Sequence, residues 1–196
     1  MWAILIRDFF QQFVPPDGTV LDLGCGWGEF ATQIRARRVF AMDLNPSAPQ
    51  YLSEGVTFLQ QDCSTTWSLG DGALDLVFTS NFFEHLPTKA ALRATLAEAF
   101  RTLKPGGRLI CLGPNIKYLP GAYWDFWDHY LPLTELALRE GLELSGFRVE
   151  RCLDRFLPYT MATGFHPPIW AVSLYLKASF LWPVFGKQFL LVAVKP

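Results

Sequence analysis

The chain has 196 residues, of which 51% are hydrophobic, so it can bury a sizeable core as a single domain over residues 1–196. Its formal net charge of −1 argues against a nucleic-acid partner, because nucleic-acid-binding surfaces need clustered Lys and Arg. The cysteines show no CxxC spacing, which indicates reduced core thiols of a cytoplasmic protein rather than a metal site or a disulfide framework. They are Cys25, Cys63, Cys111 and Cys152.

The N-terminal segment, residues 2–14, is apolar but interrupted by polar side chains, which predicts an amphipathic helix rather than a signal peptide. Strand and helix patterns then alternate along the chain. This alternation predicts a parallel, doubly wound sheet with helices on both faces. In such a sheet the ligand binds at the carboxyl ends of the strands.

The most informative stretch is VLDLGCGWGEF, residues 20–30, in which a buried strand runs directly into a glycine-rich turn. The three glycines allow a tight turn and close approach of the backbone to a ligand. The dinucleotide fingerprint would need a glycine at position 29, where this chain has Glu29. That acid, together with Asp22, favours a cationic sulfonium or ammonium ligand over a pyrophosphate. The following residues, 27–37, are compatible with a helix.

Three more strands are predicted in the first half of the chain, at residues 39–43, 56–61 and 74–80. The first of them ends in Asp43, which can take both ribose hydroxyls because a carboxylate accepts two hydrogen bonds at once. Asp62 follows the second strand, and Asn81 follows the third. Polar side chains therefore end each strand at the edge where the ligand is expected.

Together these strings resemble the class I methyltransferases that depend on S-adenosylmethionine (SAM). Motif I of that family is a glycine turn that holds the methionine end of the cofactor. A helix predicted at residues 89–103, with LKPGG before a fifth strand, is another frequent feature of the family. The resemblance covers nearly all of residues 14–157 and is closest to the broad group of small-molecule enzymes. It implies SAM as the cofactor and S-adenosylhomocysteine as the product.

The resemblance also implies roles for the strand ends. In that family the position of Asp62 holds the adenine amino group, and the end of the fourth strand, here Asn81, lies beside the amino group of the cofactor. The full implied cofactor-binding set is Asp22, Gly24, Cys25, Gly26, Gly28, Asp43, Leu44, Asp62, Cys63 and Asn81.

The C-terminal half completes the expected sheet. Thr134 can cap a helix that runs to Gly146, residues 145–156 predict a sixth strand, and residues 186–195 predict a final one. In the resembled family the last strand is antiparallel and lies between the fifth and sixth. We therefore expect a Rossmann-like α/β fold with a seven-stranded, mostly parallel sheet and an antiparallel last strand.

Two regions are candidates for acceptor recognition. Residues 114–132 contain six aromatic side chains, which predict either a lid over the acceptor or rings that pack on the sheet edge. Residues 158–185 are apolar but broken by polar residues, and the run is shorter than the roughly 20 residues that span a bilayer. This apolar segment predicts a helix packed on the sheet, or a contact for a lipid-linked acceptor, a membrane surface or a second subunit.

The candidate catalytic residues are histidines, because an imidazole titrates near neutral pH. His85, in NFFEHLP, is the first candidate base, His129 the second and His166 the third. His85 can instead be a structural residue fixed by Glu84. Some small-RNA 2′-O-methyltransferases bind a divalent metal through E-x-x-E-H and a further histidine. Here Asn81 replaces the first glutamate, so Glu84, His85 and His129 would be an incomplete ligand set, and we expect no metal.

These observations predict a methyltransferase that moves the methyl group of SAM to an oxygen or nitrogen of a small or lipid-like or sugar-like acceptor. Two alternatives remain open at this point. One is a SAM-binding module without catalytic activity. The other, disfavoured by Glu29, is a nicotinamide-dependent oxidoreductase.

Overall fold

The computed structural model describes residues 1–159 and 168–196, and within them one sheet holds seven strands. The strands are β1 (Thr19–Leu23), β2 (Arg38–Asp43), β3 (Val56–Gln60), β4 (Leu74–Ser80), β5 (Leu103–Pro114), β6 (Arg148–Leu157) and β7 (Gln188–Val194). Their order is β3-β2-β1-β4-β5-β7-β6. β7 runs antiparallel to β5 and β6, whereas the remaining pairs are parallel. The predicted sheet and the position of its last strand are confirmed.

The α-helices in the described residues are α1 (Trp2–Leu5), α2 (Lys89–Thr102), α3 (Glu135–Leu144), α4 (Ile169–Lys177) and α5 (Trp182–Phe185). α1 continues into a π-helical turn at Ile6–Phe10 and a 3-10 turn at Gln11–Phe13, so the N-terminal segment is helical as predicted. α3 begins after Thr134, whose Oγ1 accepts a hydrogen bond from the Ala137 amide at 3.2 Å. None of the described helices has both the length and the apolar composition needed to cross a bilayer.

Two apolar layers hold the helices against the sheet. On one face α2 and α3 pack through leucines onto β1, β4 and β5. On the other face the N-terminal helical segment and α4 pack together onto the same strands and onto Phe156 of β6. Both faces of the sheet are therefore covered, as is typical of a parallel sheet.

The prediction of a helix at residues 27–37 is wrong. These residues, all of which the structure describes, form turns with only short helical hydrogen bonds, such as Thr32 N to Gly28 O at 2.9 Å. The left-handed backbone of Gly28 interrupts regular helical geometry at the start of the segment. The Ala31 amide also donates to the Asp22 carboxylate instead of to a helical carbonyl. The segment still packs on the sheet through buried Phe30.

Candidate active site

The glycine turn follows β1 at the carboxyl edge of the sheet, between β2 and β4. Gly24, Gly26 and Gly28 all have left-handed backbones, with φ of 69°, 51° and 71°. L-residues with a Cβ rarely adopt that conformation. The amides of Gly24 and Cys25 both donate to Met42 O on β2, at 2.9 and 3.1 Å. The turn is therefore a fixed backbone structure.

The three glycines face different surroundings. A Cβ on Gly24 would lie 2.2 Å from the ring of Phe82, and a Cβ on Gly28 would lie 2.4 Å from Leu52 Cδ2. A Cβ on Gly26 would meet nothing within 4 Å. Gly24 and Gly28 thus make room for the protein's own side chains, whereas Gly26 leaves an open space in which a ligand can approach the backbone.

Asp43 ends β2 and links that strand to the glycine turn. Its Oδ2 accepts from the Gly26 amide at 2.9 Å, and its Oδ1 accepts from the Asn45 amide at 2.9 Å. A carboxylate oxygen can accept more than one hydrogen bond, so the half-buried group still has capacity for hydroxyl donors. Asp43 therefore both holds the turn and fits the predicted ribose role. Leu44 follows it with an exposed side chain.

Asp22 lies beneath the turn rather than at its surface. Its side chain is buried, and Oδ2 accepts from the Ala31 amide at 3.0 Å. Burial, with smaller effects of the nearby Glu29 and Asp43 charges, raises the pKa of Asp22 to about 7. Its observed contact is structural, because it fixes the segment that leaves the turn.

The remaining predicted cofactor residues around β1 and β3 differ in orientation. Asp62 is exposed, and its Oδ1 accepts from both the amide and the hydroxyl of Ser64, each at 2.8 Å. Cys25 and Cys63 are buried among apolar side chains, and burial raises the pKa of both thiols. At these two positions a cofactor contact would have to come from the backbone.

Asn81 follows β4 and has two unusual features. It is the only non-glycine among the described residues with a positive φ, 48°. Its side-chain Oδ1 is buried without a hydrogen-bond partner, although its backbone amide donates to Leu112 O at 2.9 Å and its Nδ2 donates to Ser80 Oγ at 3.3 Å. An unpaired buried acceptor is costly unless a ligand satisfies it. The next residue, Phe82, packs on Gly24, so Asn81 lies beside the glycine turn.

The structure brings both predicted base candidates together. The amides of Tyr130 and Leu131 donate to Glu84 O, at 2.8 and 3.0 Å, and so dock residues 114–132 onto the turn after β4. The ring centroids of His85 and His129 are consequently 5.0 Å apart. His166 lies outside the described residues.

Backbone carbonyls fix both imidazoles. His129 Nδ1 lies 2.8 Å from Tyr123 O, and His85 Nδ1 lies 3.0 Å from Asp128 O and 3.1 Å from its Oδ2. Because those oxygens only accept, each Nδ1 is a donor, and in a neutral imidazole Nε2 then keeps a free lone pair. Burial and the neighbouring His85 lower the pKa of His129, and burial raises the pKa of Glu84 to about 8.

Residues 114–132, the aromatic segment, divide into buried and exposed rings. Tyr123 is fully buried and donates to Leu131 O, and Tyr118 donates to the Asp154 carboxylate on β6. Trp124 and Trp127 are 54% and 96% exposed. Two tyrosines thus anchor the segment, and two tryptophans are available to another molecule.

The apolar segment divides in the same way over its described residues. Val172 and Leu176 of α4 are buried against the N-terminal helical segment, and Ser173 Oγ donates to Asp8 Oδ2 at 2.8 Å. Other large apolar side chains of the segment are exposed. They are Ile169, Trp170, Leu174, Phe180, Val184 and Phe185.

One feature next to the glycine turn is absent from the sequence-based prediction. Trp27, between two of the glycines, packs edge-on against Tyr51, with ring centroids 4.5 Å apart, and both rings are substantially exposed. The two residues are 24 positions apart, so no local pattern pairs them. The sequence signal that could have indicated this pair is the tryptophan within the glycine turn itself.

Comparison with known proteins agrees with this geometry. A family model described as a methyltransferase domain matches residues 21–111, from β1 to β5. A demethylmenaquinone methyltransferase of Symbiobacterium thermophilum is 30% identical over 150 residues, which cover 68% of this chain and 59% of the relative. A 2-methyl-6-phytyl-1,4-hydroquinone methyltransferase of Synechocystis sp. is 26% identical over 153 residues, or 68% of this chain and 47% of the relative. The chain spans about half the length of these relatives.

Among solved structures, a SAM-dependent methyltransferase from Archaeoglobus fulgidus has a TM-score of 0.73 at 22% identity, covering 99% of this chain and 92% of that one. This likeness establishes the same fold. The matched domain contains the glycine turn, Asp43 and Asn81, which are the residues that carried the predicted resemblance. The chain is therefore a member of the class I SAM-dependent methyltransferases, a family whose cofactor is SAM.

Proposed function

We propose that this chain transfers the methyl group of SAM to an oxygen or nitrogen atom of a small apolar acceptor. The observation that carries this proposal is the unpaired, buried Asn81 Oδ1 beside the glycine turn. It provides an acceptor for a cationic amino group, and the open space at Gly26 leaves room for the rest of the methionine end. The Asp43 carboxylate can accept hydrogen bonds from the ribose hydroxyls in addition to those from the Gly26 and Asn45 amides.

Methyl transfer needs little more than position, exclusion of water and a base for the acceptor proton. The bond from sulfur to the methyl carbon breaks as the acceptor lone pair forms the new bond, and S-adenosylhomocysteine leaves. His85 and His129 both present a neutral nitrogen that can receive the acceptor's proton. The lowered pKa of His129 favours this neutral form.

The acceptor is proposed to be an apolar ring with a lipid-like chain. Two relatives are named for demethylmenaquinone and for a phytyl hydroquinone. The exposed rings of Trp124 and Trp127 support an apolar acceptor next to the methyl donor, because solvent alone gives no stabilisation to exposed indoles.

The exposed apolar side chains of the apolar segment are proposed to contact the anionic lipids on the cytoplasmic face of a membrane. Residues 155–187 contain Arg155, Lys177 and Lys187 but no Asp or Glu. Exposed Trp and Phe beside positive charge suit a lipid interface better than the symmetric contact of a second copy, which would bring like charges together. Cosedimentation with phosphatidylserine vesicles tests this proposal, and dimerisation without vesicles would argue for the second copy.

Calorimetry with SAM, S-adenosylhomocysteine and NADH tests the cofactor. We expect micromolar binding of the first two and none of NADH, which would exclude the oxidoreductase alternative. Incubation with SAM and short-chain quinols, followed by mass spectrometry, then tests methyl transfer. Cofactor binding without any methylated product across quinol, phenol and amine acceptors would instead favour a catalytically silent SAM-binding module.

A further inference from the structure

Glu84, His85 and His129 form a cluster with an unusual composition for a protein interior. One potential ligand atom from each residue lies within 4.8 Å of the other two. The side chains of Glu84 and His129 are only 3% and 7% exposed. Across residues 1–159 and 168–196, no lysine or arginine forms an ion pair with Glu84, so its buried carboxyl has no cationic partner.

Both imidazoles are oriented as metal ligands would be. In metal sites a ligating histidine donates its other ring N–H to a carbonyl or carboxylate oxygen, which fixes the ring. His129 Nδ1 faces Tyr123 O, and His85 Nδ1 faces both the carbonyl and the carboxylate of Asp128. Both rings are therefore held with Nε2 free, the arrangement that a ligand pair requires.

The cluster is also held together by the backbone of two distant segments. Glu84 and His85 lie in the 3-10 turn Phe83–His85, whereas His129 belongs to the aromatic segment. The two hydrogen bonds from the Tyr130 and Leu131 amides to Glu84 O join these segments next to the cluster. The three side chains thus converge through fixed backbone rather than through flexible surface loops.

We propose that Glu84, His85 and His129 bind one divalent transition-metal ion through a carboxylate oxygen and two Nε2 atoms. Two histidines and one carboxylate are a common ligand set for zinc and for iron, with the remaining positions open to other ligands. Ligands about 2.1 Å from an ion lie roughly 3.4 Å apart, so modest side-chain rotations close the cluster around it. Asn81 is not needed for this set, contrary to the reasoning from sequence that predicted no metal.

The consequence for catalysis rests on the proposed function, whereas binding of the ion does not. Phe82, two residues before Glu84, packs on Gly24, so the cluster lies on the side of the methyl donor. An ion there would lower the pKa of a hydroxyl bound to it and prepare the oxygen for methylation. The imidazoles would then act as ligands rather than as free bases.

The direct test uses the full chain freed of metal by a chelator and titrated with Co²⁺ at pH 8, followed by absorption spectroscopy, with Zn²⁺ as competitor. We expect one equivalent to bind with visible d–d bands that Zn²⁺ abolishes. Glu84→Gln and His129→Asn should each weaken binding by about 100-fold or more, because each removes a ligand. Glu54→Gln is the matched control, because it makes the same change at an exposed glutamate outside the cluster, and it should leave the affinity unchanged.

Absence of stoichiometric Co²⁺ or Zn²⁺ binding, or equal affinity in wild type and His129→Asn, would overturn the metal site. If Glu84→Gln does not fold, the thermal shift produced by Zn²⁺ in wild type but not in His129→Asn decides the question. SAM calorimetry on the same variants separates the two proposals. If the wild type does not bind SAM, only the proposed function is contradicted. If the wild type does not bind the metal ion, only this inference is contradicted.

Discussion

The glycine turn and the aromatic segment lie at the same edge of the sheet but are built differently. Backbone hydrogen bonds to Met42 and Asp43 fix the turn, and left-handed glycines shape it. The aromatic segment is anchored at a few buried points, such as Tyr123, and leaves Trp127 almost fully in solvent. A rigid backbone suits one invariant cofactor, whereas exposed rings on an anchored loop suit an acceptor that must enter and leave.

This difference predicts separable effects. Changes in the turn should alter cofactor affinity, and changes in the exposed rings should alter acceptor use. A variant that alters both cofactor affinity and acceptor use would contradict this separation.

The largest effect is expected for Gly26→Val. Its side chain would fill the open space and should abolish SAM binding, a loss of about 100-fold or more, because overpacking of this size costs about 3 kcal/mol. The left-handed φ of 51° also costs stability, on the order of 1–2 kcal/mol. Calorimetry measures the binding and urea unfolding measures the stability.

Gly72→Val is the matched control. Gly72 has a φ of 59°, and a Cβ there would likewise meet nothing within 4 Å, but it precedes β4 at the opposite edge of the sheet. It should lose the same stability and keep its SAM affinity. A Gly26→Val protein that binds SAM normally would show that the open space is not a ligand site.

The next largest effect is expected for Asp43→Ala, which removes a charged acceptor of two hydroxyls. SAM affinity should fall by about 2 kcal/mol, or roughly 30-fold. The same change removes the acceptor of the Gly26 and Asn45 amides, so the loss of affinity combines a less well fixed turn with the lost ribose contact. Asp43→Asn keeps one oxygen acceptor and should bind with intermediate affinity. Unchanged affinity in Asp43→Ala would remove Asp43 from the cofactor site.

Much of the turn could be predicted from sequence because its determinants are local. Gly26 and Asp43 follow strand patterns directly, and strands fix where their own ends lie. Local patterns do not place Glu84 near His129, because their closeness depends on amides of the aromatic segment that donate to Glu84 O across more than 40 residues; only the family resemblance grouped the two residues. The direction in which the Cys25 and Cys63 side chains point could not be predicted either, because it depends on packing. Both thiols are buried in the core.

A moderate effect is expected for Trp124→Ala and Trp127→Ala. Each ring that packs on the acceptor contributes about 1–3 kcal/mol, so kcat/KM for the acceptor should fall between several-fold and about 100-fold. SAM affinity should stay within about threefold, since the glycine turn is untouched. Trp170→Ala, an exposed tryptophan on α4, is the control and should leave use of a soluble short-chain acceptor unchanged. Joint loss of SAM binding and thermal stability would place the rings in the core and end the separation between the two regions.

The smallest effect is a pH dependence of stability, with one contribution from Asp22 beneath the glycine turn and one from Glu84, which lies beside the aromatic segment. Burial raises the pKa of Asp22 to about 7 and that of Glu84 to about 8, whereas unfolded carboxyls titrate near 4. Between these values the folded chain keeps protons that the unfolded chain has released. The stabilisation is therefore complete below about pH 4 and is lost progressively as the pH rises, until about pH 7 for Asp22 and about pH 8 for Glu84.

Each group contributes at most about 1.4 kcal/mol per pH unit to this fall in the free energy of unfolding. Urea unfolding with a chelator at pH 6.0, 7.0 and 7.5 measures it without any metal contribution. Asp22→Asn should flatten the slope only below about pH 7, and Glu84→Gln should flatten it up to about pH 8, since neither amide titrates. Identical slopes in wild type and Glu84→Gln would mean that the Glu84 carboxyl is ionised when folded, and that the cluster with His85 and His129 carries its negative charge even without an ion.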